Sequence, residues 1–187
     1  MIASQYVAHV MDEVGVWYAV AGGWAIDLWL GGQTREHHDV EVVVRRSDQA
    51  AVHAALREHW DLYCLDPPGS GWRSWSGDPI EFPAFQLQAR AASYEFDLFT
   101  ENVDKTLWRF RRDSRIELPL GDVWTFSSSG LPIVRPEVQL LYMAASVEPK
   151  AVHDFEVARP TLDDDARRWL AGALSVTHPG HQWLPRL

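Results

Sequence analysis

The sequence predicts an α+β protein in which a mixed, twisted sheet with flanking helices is followed by a small helical subdomain. Up to residue 130, short apolar runs with the alternation of strands are separated by helical segments and by turns rich in Gly or Pro. At Leu131 the spacing of apolar residues becomes helical, and Pro136 and Glu137 suit the first turn of a helix. The predicted division is therefore 1–130 and 131–187, and a chain of 187 residues is long enough to bury a sizeable core.

The first part of the chain is expected to alternate helices with strands. Ile2, Tyr6, Val10 and Val14 recur every fourth residue, which predicts a helix with one buried stripe that ends at Gly15. The elements expected to follow are a strand at Trp17–Ala21, a helix at Trp24–Leu30, a strand at Asp39–Val44, a helix from Ser47 or Asp48 to His59 with Ala51, Ala54, Ala55 and Leu56 inward, and strands at Trp60–Leu65, Phe85–Ala89 and Tyr94–Thr100.

The later segments carry loop, turn and capping signals. Pro, Gly and Ser are dense from Asp66 to Pro79, which predicts a loop. A turn at Leu120–Asp122 predicts a hairpin at the edge of the sheet within Lys105–Ser127. Thr161 and Asp164 form a pair like a capping box at the start of the last helix. Helices are expected at Pro136–Ser146, Lys150–Arg159 and Thr161–Leu174, with Trp183 and Leu184 docking the tail.

Two carboxylates stand at the start of an otherwise apolar strand. Asp39 and Glu41 are two residues apart, so they project from one face of the strand while the neighbouring valines point to the other. Their backbones are separated by roughly 6–7 Å, which lets their oxygens converge on divalent ions. Hard oxygen ligands of this kind favour magnesium. The alternative interpretation is a solvated strand face, which produces the same alternation.

The glycine pair Gly22-Gly23 precedes the acidic strand and opens a short helix. Glycine lets the backbone approach a ligand closely, and the free amides at a helix N-terminus attract anions, so a phosphate could bind there. Neither signal is specific alone. In this order and this close together, the glycine pair and the two acids favour a site for metal-bound nucleotide phosphates.

Charge and composition restrict the partners. A net charge of −9 argues against a nucleic-acid partner, because polynucleotides are gripped through basic surfaces, and it favours a cationic small molecule. The alternative is that the acidic balance only keeps the protein soluble. Trp72 and Trp75 lie in the turn-rich loop, where they could stack on a ligand or pack in the core.

The compartment is expected to be the cytoplasm. The single cysteine, Cys64, excludes an internal disulfide and suits a reducing environment. The N-terminus has no basic start followed by a long apolar run, and no apolar stretch approaches the length needed to span a membrane. We therefore expect no membrane partner.

The motifs GGWAIDLWLGGQTREHHDVEV, EFDLF, RRD, RPEVQLLY, KAVHDF and PGHQWL resemble the aminoglycoside 2''-adenylyltransferase-like group of small-molecule nucleotidyltransferases, in the DNA polymerase beta-like superfamily. The resemblance spans nearly the whole chain. It implies a nucleotidyltransferase lobe at 1–130, a helical subdomain at 131–187, and a Mg²⁺-dependent enzyme with ATP or another nucleoside triphosphate as co-substrate.

The resemblance also assigns roles to individual residues. It implies that Asp39 and Glu41 hold the metal, and that Asp97 completes the metal site and orients or deprotonates the acceptor hydroxyl. Gly22 and Gly23 would line the triphosphate. Arg35 would contact a phosphate, to which its guanidinium fork is suited, and the alternative is a surface ion pair with Glu36 or another acid.

Six polar residues near these motifs have weaker assignments. Glu95 shares a strand face with Asp97 and could bind a cationic substrate. His37 and His38 lack the spacing of zinc ligands, which favours structural or phosphate contacts. Asp27 suggests a bond to the following loop, and the two arginines of RRD either bind phosphate or decorate a hairpin. The residues concerned are Asp27, His37, His38, Glu95, Arg111 and Arg112.

The chain departs from the family pattern in the C-terminal part. Met143 stands where a lysine facing the triphosphate is usual, which would weaken nucleotide binding, transfer that contact to Lys150, or abolish binding. Ala151 removes an acid from the KAVHDF segment, whereas Asp154 remains in register.

Three hypotheses about function follow from the resemblance. The preferred one is transfer of a nucleoside monophosphate to a hydroxyl of an antibiotic of the aminoglycoside or lincosamide type, with release of pyrophosphate. The alternatives are a minimal nucleotidyltransferase that acts on a protein partner, as in toxin–antitoxin pairs, and a degenerate member that only binds ligand. Apolar stripes on the C-terminal helices leave a homodimer possible.

Overall fold

The computed structural model describes residues 3–92 and 94–187 and confirms the α+β fold class. The helices are α1 (Ala3–Val14), α2 (Gly22–Leu30), α3 (Gln49–Leu56), α4 (Pro136–Met143), α5 (Pro149–Ala158) and α6 (Asp164–Thr177). The strands are β1 (Tyr18–Ala21), β2 (Glu41–Arg45), β3 (Asp61–Cys64), β4 (Arg73–Ser74), β5 (Gln86–Ala91), β6 (Tyr94–Asp104), β7 (Leu107–Arg109), β8 (Glu117–Pro119), β9 (Trp124–Phe126) and β10 (Pro132–Val134). In these described stretches, no helix is both long enough and apolar enough to span a bilayer.

The strands form one mixed sheet in the order β4-β3-β5-β6-β2-β1-β10-β9, with β7 paired to β6 and β8 to β7. Strand β2 runs antiparallel to β1 and parallel to β6. The β2–β6 register sets Glu41 opposite Asp97. Since directly paired residues share a face of the sheet, the sheet itself brings these two acids together.

Each face of the sheet covers its own core. Helices α1 and α3 pack on the face that carries Val42 and Val44, and α4, α5 and α6 pack on the face that carries Val43. The alternation predicted for the acidic strand is therefore confirmed, because the valines that flank Val43 point away from the C-terminal helices. Glu41 shares the face of Val43 and is directed toward those helices.

The sheet continues past residue 130. Strand β10 lies after that position and pairs parallel with β1 and antiparallel with β9. Val134 and Val138 join Ala19 and Val43 in one buried cluster, so the helical part shares its core with the sheet. The division into 1–130 and 131–187 stays a prediction.

The buried face of α1 differs from the expected stripe. Ser4, Val7, Ala8 and Met11 are buried, whereas Tyr6, Val10 and Val14 are only partly buried at its margin. Ile2, the first residue of the predicted stripe, lies outside the described residues. A stripe read at intervals of four drifts around a helix of 3.6 residues per turn, which explains the offset.

Helix α3 also presents a different face to the core from the one expected. Val52 and Leu56 are buried, whereas Ala51, Ala54 and Ala55 are exposed. Val52 and Leu56 are four residues apart and larger than alanine, so their burial removes more apolar surface from water. The helix ends at Leu56, before the expected His59.

The expected hairpin around Leu120–Asp122 is wrong in its pairing. That turn is a 3₁₀ helix between β8 and β9, but β8 pairs with β7 and β9 pairs with β10. A turn signal fixes a local change of direction, whereas the partner of each strand depends on distant segments.

Helix α6 is capped by Asp163, and the Thr161–Asp164 capping pair is wrong. The Asp163 carboxylate accepts a bond from the Ala166 amide at 2.8 Å. Thr161 belongs to a 3₁₀ helix, and its hydroxyl donates to the Ala158 carbonyl. After α6, Trp183 is buried and stacks on Phe155 at 4.3 Å, which confirms that this residue docks the tail.

Replacing the cap should weaken α6. We expect Asp163→Ala to lower the free energy of unfolding by about 1 kcal/mol, because an amide at the helix start loses its acceptor. Asp164→Ala is the matched control, since the Asp164 side chain is 92% exposed, and its effect should stay within about 0.5 kcal/mol. Urea unfolding measures both, and equal losses would contradict the assignment of the cap.

Candidate active site

A cavity of about 350 Å³ opens between the sheet and helices α4 and α5. Its walls come from the start of α2, the segment before β2, β2 itself and the two helices. The residues that line it include Gly22, Gly23, Arg35, Asp39, Glu41, Gln139, Met143, Lys150 and Asp154. The structure thus brings together in one cavity every predicted site residue except Asp97.

Gly22 is the first residue of α2, two positions before the expected start at Trp24. Its φ is +64°, a backbone conformation that glycine adopts without steric penalty. A Cβ there would overlap the Glu41 carboxylate, so the absence of a side chain lets Glu41 lie against the backbone. The Gly22 amide donates to Gln139 Oε1 at 3.0 Å, which ties α2 to α4.

Gly23 has the same steric requirement for a different reason. A Cβ at this position would overlap the Arg35 guanidinium and the His37 ring. The glycine pair therefore admits an acid on one side and a cation on the other, both at the cavity wall. Its predicted contact with a triphosphate stays a prediction.

Asp39 and Glu41 line the cavity, and Asp97 lies beside Glu41 on the neighbouring strand. Asp39 lies two residues before the first residue of β2 and is exposed. Burial, followed by the charges of Asp39 and Asp97, raises the pKa of Glu41 to about 7. The three acids are therefore close enough to repel one another, which a bound cation would relieve.

Asp97 is buried, with 9% of its surface exposed, and is held by two amides. Gln88 Nε2 donates to its Oδ1 at 2.8 Å and Gln86 Nε2 donates to its Oδ2 at 3.3 Å. Burial raises the pKa of Asp97, while these two bonds lower it. Gln86 lines the cavity, whereas Asp97 lies outside its lining and is linked to it through the bond with Gln86.

Magnesium fits the donor chemistry of this group. Within residues 3–92 and 94–187, no three His, Cys, Asp or Glu side chains are gathered into a complete ion site. Mg²⁺ is usually held by one or two carboxylates together with substrate phosphates, so an incomplete protein cage suits it. Asp39 and Glu41, with Asp97 next to them, would supply those carboxylates.

Arg35 forms the ion pair that was the alternative expectation. Its partner is the Asp154 carboxylate and not that of Glu36. Its Nε and Nη2 donate to the two Asp154 oxygens, each at 2.8 Å, in a bidentate arrangement. Asp154 is 1% exposed and comes from α5, so the pair joins the loop before β2 to the C-terminal helices. Both residues line the cavity, and the phosphate contact of Arg35 stays a prediction.

Asp27 positions the loop, as expected. Its carboxylate accepts bonds from the amide and the hydroxyl of Thr34 and contacts His37 Nε2 at 2.5 Å. The His37 ring is buried and packs against Trp24 at 4.5 Å. These contacts give His37 a structural position, and His38 is exposed beside it.

Arg111 is part of a buried cluster that sequence reasoning missed. Its guanidinium pairs with Glu101 and lies 4.5 Å from the Phe85 ring and 4.1 Å from the Tyr142 ring. Glu101 also accepts bonds from Tyr142 and Trp108. Strand alternation from Asp97 could have indicated Glu101, which is four residues further along the same face.

Arg112 lines the cavity next to Arg111 and donates to the Tyr142 carbonyl at 2.6 Å. Lys150 also lines the cavity, and its ammonium lies 3.1 Å from Glu148. Met143 also lines the cavity, so the position at which the resemblance predicts a lysine faces the same space. Arg35, Arg111 and Lys150 each have a carboxylate within 4.0 Å of a side-chain nitrogen. Arg112 has none among the described residues.

The two loop tryptophans have different environments. Trp75 is 4% exposed and donates to the Asp78 carbonyl, so it belongs to the core, and stacking on a ligand is excluded in this conformation. Trp72 is 37% exposed, outside the cavity, and its ring lies 6.0 Å from the Arg90 guanidinium.

Gln139 is a further residue that the sequence did not indicate, because a helical glutamine carries no signal for its partner.

The sequence model of the aminoglycoside-2''-adenylyltransferase family matches residues 5–63. This range includes the glycine pair, Asp39 and Glu41. None of the curated proteins matches the sequence. The match ends before Asp97 and the C-terminal helices.

Solved antibiotic-modifying enzymes share the fold along most of the chain. One is the lincosamide antibiotic adenylyltransferase LnuA bound to lincomycin, at 16% identity and a TM-score of 0.62, with 84% of this chain and 95% of that chain covered. Another is ANT(2'')-Ia in complex with adenylyl-2''-tobramycin, at 15% identity and a TM-score of 0.62, with 92% and 95% covered. The solution structure of ANT(2'')-Ia matches at 12% identity and a TM-score of 0.57, with 92% and 93% covered. The chain therefore resembles the aminoglycoside-2''-adenylyltransferase family over residues 5–63 and shares the fold of these solved adenylyltransferases along most of its length.

Proposed function

We propose that the protein transfers a nucleoside monophosphate from ATP or another nucleoside triphosphate to a hydroxyl of a small cationic acceptor, of the aminoglycoside or lincosamide antibiotic type, and releases pyrophosphate. The observation that carries the proposal is that Asp39 and Glu41 both line the cavity, with Glu41 against the Gly22 backbone. Support comes from the solved adenylyltransferases that share this fold.

The reaction forms a bond between the acceptor oxygen and the α-phosphorus and breaks the bond to the leaving pyrophosphate. Such a transfer needs aligned reactants and charge stabilisation more than covalent help from the protein. Bound magnesium would supply charge neutralisation at the phosphates, held by Asp39 and Glu41 with Asp97 beside them. Asp97 orients the acceptor hydroxyl and takes its proton as the new bond forms.

Cations that line the cavity suit the triphosphate. Lys150 and Arg112 line the cavity, and Arg112 has no carboxylate partner in the described part of the chain. Arg35 adds a guanidinium whose position is fixed by Asp154. These three cations supply the positive charge that Met143 lacks. Without them, the uncharged Met143 would favour the second candidate function, a protein that binds ligand without turnover.

The acceptor is drawn to the site by negative charge. The chain carries a net charge of −9, and the exposed acids Asp39 and Glu95 together line a second, neighbouring cavity. A field of this sign raises the local concentration of polyamine-like molecules and weakens with salt. Tobramycin and lincomycin are therefore suitable probes of two acceptor classes.

Incubation with ATP or GTP, Mg²⁺ and tobramycin or lincomycin tests the proposal. Pyrophosphate release and an acceptor whose mass rises by one nucleoside monophosphate are expected. Asp39→Ala should lower the rate at least about 100-fold, because a ligand of the catalytic ion is lost. Asp61→Ala, an exposed acid at the start of β3, is the matched control and should keep full activity.

The same assay separates the competing functions. Ligand binding without any product in the wild type would support the binding-only candidate. A nucleotide label that appears on a protein in a cell extract, with unmodified antibiotics, would support a protein acceptor. Product formed equally by the wild type and Asp39→Ala would contradict the proposed site.

A further inference from the structure

We propose that Gln88 and Arg90 are positioning residues that hold the Asp97 carboxylate in the orientation required for transfer, a role that rests on the proposed function. The two residues alternate along β5 and face the same side of the sheet as Asp97. They lie outside the lining of the cavity. A hydrogen-bonded series therefore runs from Arg90 through Gln88 to Asp97.

Gln88 lies directly opposite Asp97 in the antiparallel β5–β6 register. Its Nε2 donates to Asp97 Oδ1 at 2.8 Å, the length of a strong bond to an acid. Gln86 donates to the other oxygen at a longer 3.3 Å. Both oxygens thus accept from amides, which fixes the plane of the carboxylate and leaves lone pairs free on each oxygen.

Arg90 determines which way the Gln88 amide points. Its Nε lies 2.6 Å from Gln88 Oε1, and a guanidinium can only donate. The atom that faces Arg90 must therefore be the oxygen, and the Gln88 amino group must face Asp97. If the amide were reversed, two donors would meet at Arg90 and an oxygen would face the acid.

Arg90 is itself held in place. Its guanidinium carbon lies 4.5 Å from the Tyr63 ring centroid, on the neighbouring strand β3. In the register Arg90 is opposite Glu95, yet its Nε is 3.7 Å from Glu95 Oε2 and 2.6 Å from the Gln88 oxygen. The shorter contact goes to the amide and not to the opposing charge, which favours an orienting role over an ordinary cross-strand ion pair.

Orientation of Asp97 matters because, in the proposed function, this acid takes the proton of the acceptor hydroxyl. Groups that act on a reacting atom lose much of their effect when they are misplaced by about 1 Å. Partners of such groups affect rate although they do not touch the reactants. Loss of the Gln88 bond should therefore lower kcat and leave nucleotide affinity unchanged.

The competing explanation is that these polar residues only stabilise the sheet. Cross-strand pairs contribute stability of a few tenths to about 1 kcal/mol without any link to turnover. The two explanations differ in the dependence on Asp97. A positioning effect disappears when Asp97 is replaced, whereas a stability effect persists.

Steady-state kinetics with tobramycin, lincomycin, ATP and Mg²⁺ provide the first test. Gln88→Leu should lower kcat about 10-fold or more, and Arg90→Gln about 3- to 10-fold, with the KM for ATP within about twofold of the wild type. In an Asp97→Asn background, Gln88→Leu should cause no further loss. Arg109→Gln is the matched control: Arg109 lies on β7 and pairs with two acids on the neighbouring strands, Asp104 and Glu117, and the kcat of this variant should not change.

Glutamine side-chain NMR provides a second test that does not need turnover. In protein labelled with ¹⁵N-glutamine, the Gln88 amino signals should shift in both Asp97→Asn and Arg90→Gln, and the Gln139 signals should not. A wild-type kcat in Gln88→Leu, an equal loss in the Asp97→Asn background, or unshifted Gln88 signals would overturn the positioning role. If the wild type modifies no acceptor, the proposed function fails. The NMR shifts alone then decide whether the hydrogen bonds from Arg90 through Gln88 to Asp97 exist.

Discussion

Glu41→Gln is expected to abolish nucleotidyl transfer while making the metal-free protein more stable. The substitution keeps the size of the side chain and removes a charge that lies among Asp39 and Asp97. An amide binds magnesium far less well than a carboxylate, so we expect the rate to fall at least about 1000-fold. The opposite signs of the two effects would identify a residue retained for function at the expense of stability.

The gain in stability should depend on pH. Burial and neighbouring acids raise the folded pKa of Glu41 to about 7, so between its unfolded and folded pKa values the native state binds more protons than the unfolded chain. The free energy of unfolding of the wild type should therefore fall as pH rises from about 4.5 to about 7, and Glu41→Gln should lack this contribution. The variant should be more stable by about 1–3 kcal/mol at pH 8 and equal to the wild type below pH ~4.5.

Urea unfolding at pH 4.5 and pH 8, without metal, checks these values. Addition of Mg²⁺ with a non-hydrolysable triphosphate at pH 8 should stabilise the wild type and not the variant. Asp61→Asn, which replaces an exposed acid at the start of β3, is the control for removal of an acid from the sheet. Equal stability of Glu41→Gln and the wild type at both pH values would contradict the electrostatic account.

The sequence was sufficient to predict features that depend on local periodicity. Alternation along β2 places Glu41 on the face of Val43, and Val40, Val42 and Val44 lie on the other face. Gly31 ends α2 with φ +77°, in agreement with the stop expected there. Chain direction at these points is determined by a few adjacent residues, so a single sequence carries the information.

Features that depend on distant partners could not be predicted. Asp154 binds Arg35 across 119 positions of sequence, and Gln139 binds the Gly22 amide across 117. A buried acid or amide in a helix looks the same in sequence as an exposed one until its partner is known. The same reason explains the wrong hairpin, since the partners of β8 and β9 come from outside the turn that joins them.

Gly22→Ala is expected to damage both the fold and the site. A residue with a Cβ at φ +64° costs about 1–2 kcal/mol, and the overlap with the Glu41 carboxylate adds a packing cost of about 1–3 kcal/mol. We therefore expect a loss of about 2–5 kcal/mol in the free energy of unfolding and, in the remaining folded protein, a displaced Glu41 with transfer activity below detection.

Two other glycines separate the causes of that loss. Gly31 also has a positive φ, but its nearest neighbour is Ser128 Oγ at 3.7 Å, so Gly31→Ala should show the backbone cost alone, about 1–2 kcal/mol. Gly172 lies within α6 with no atom within 4 Å, so Gly172→Ala should stabilise the protein by about 0.5–1 kcal/mol. The difference between Gly22→Ala and Gly31→Ala then measures the contact with Glu41, and activity should be lost only in the former. If the two variants lose equal stability and both retain activity, the close approach of Glu41 to the α2 backbone is not required for the site, and the assignment of Gly22 to the active centre fails.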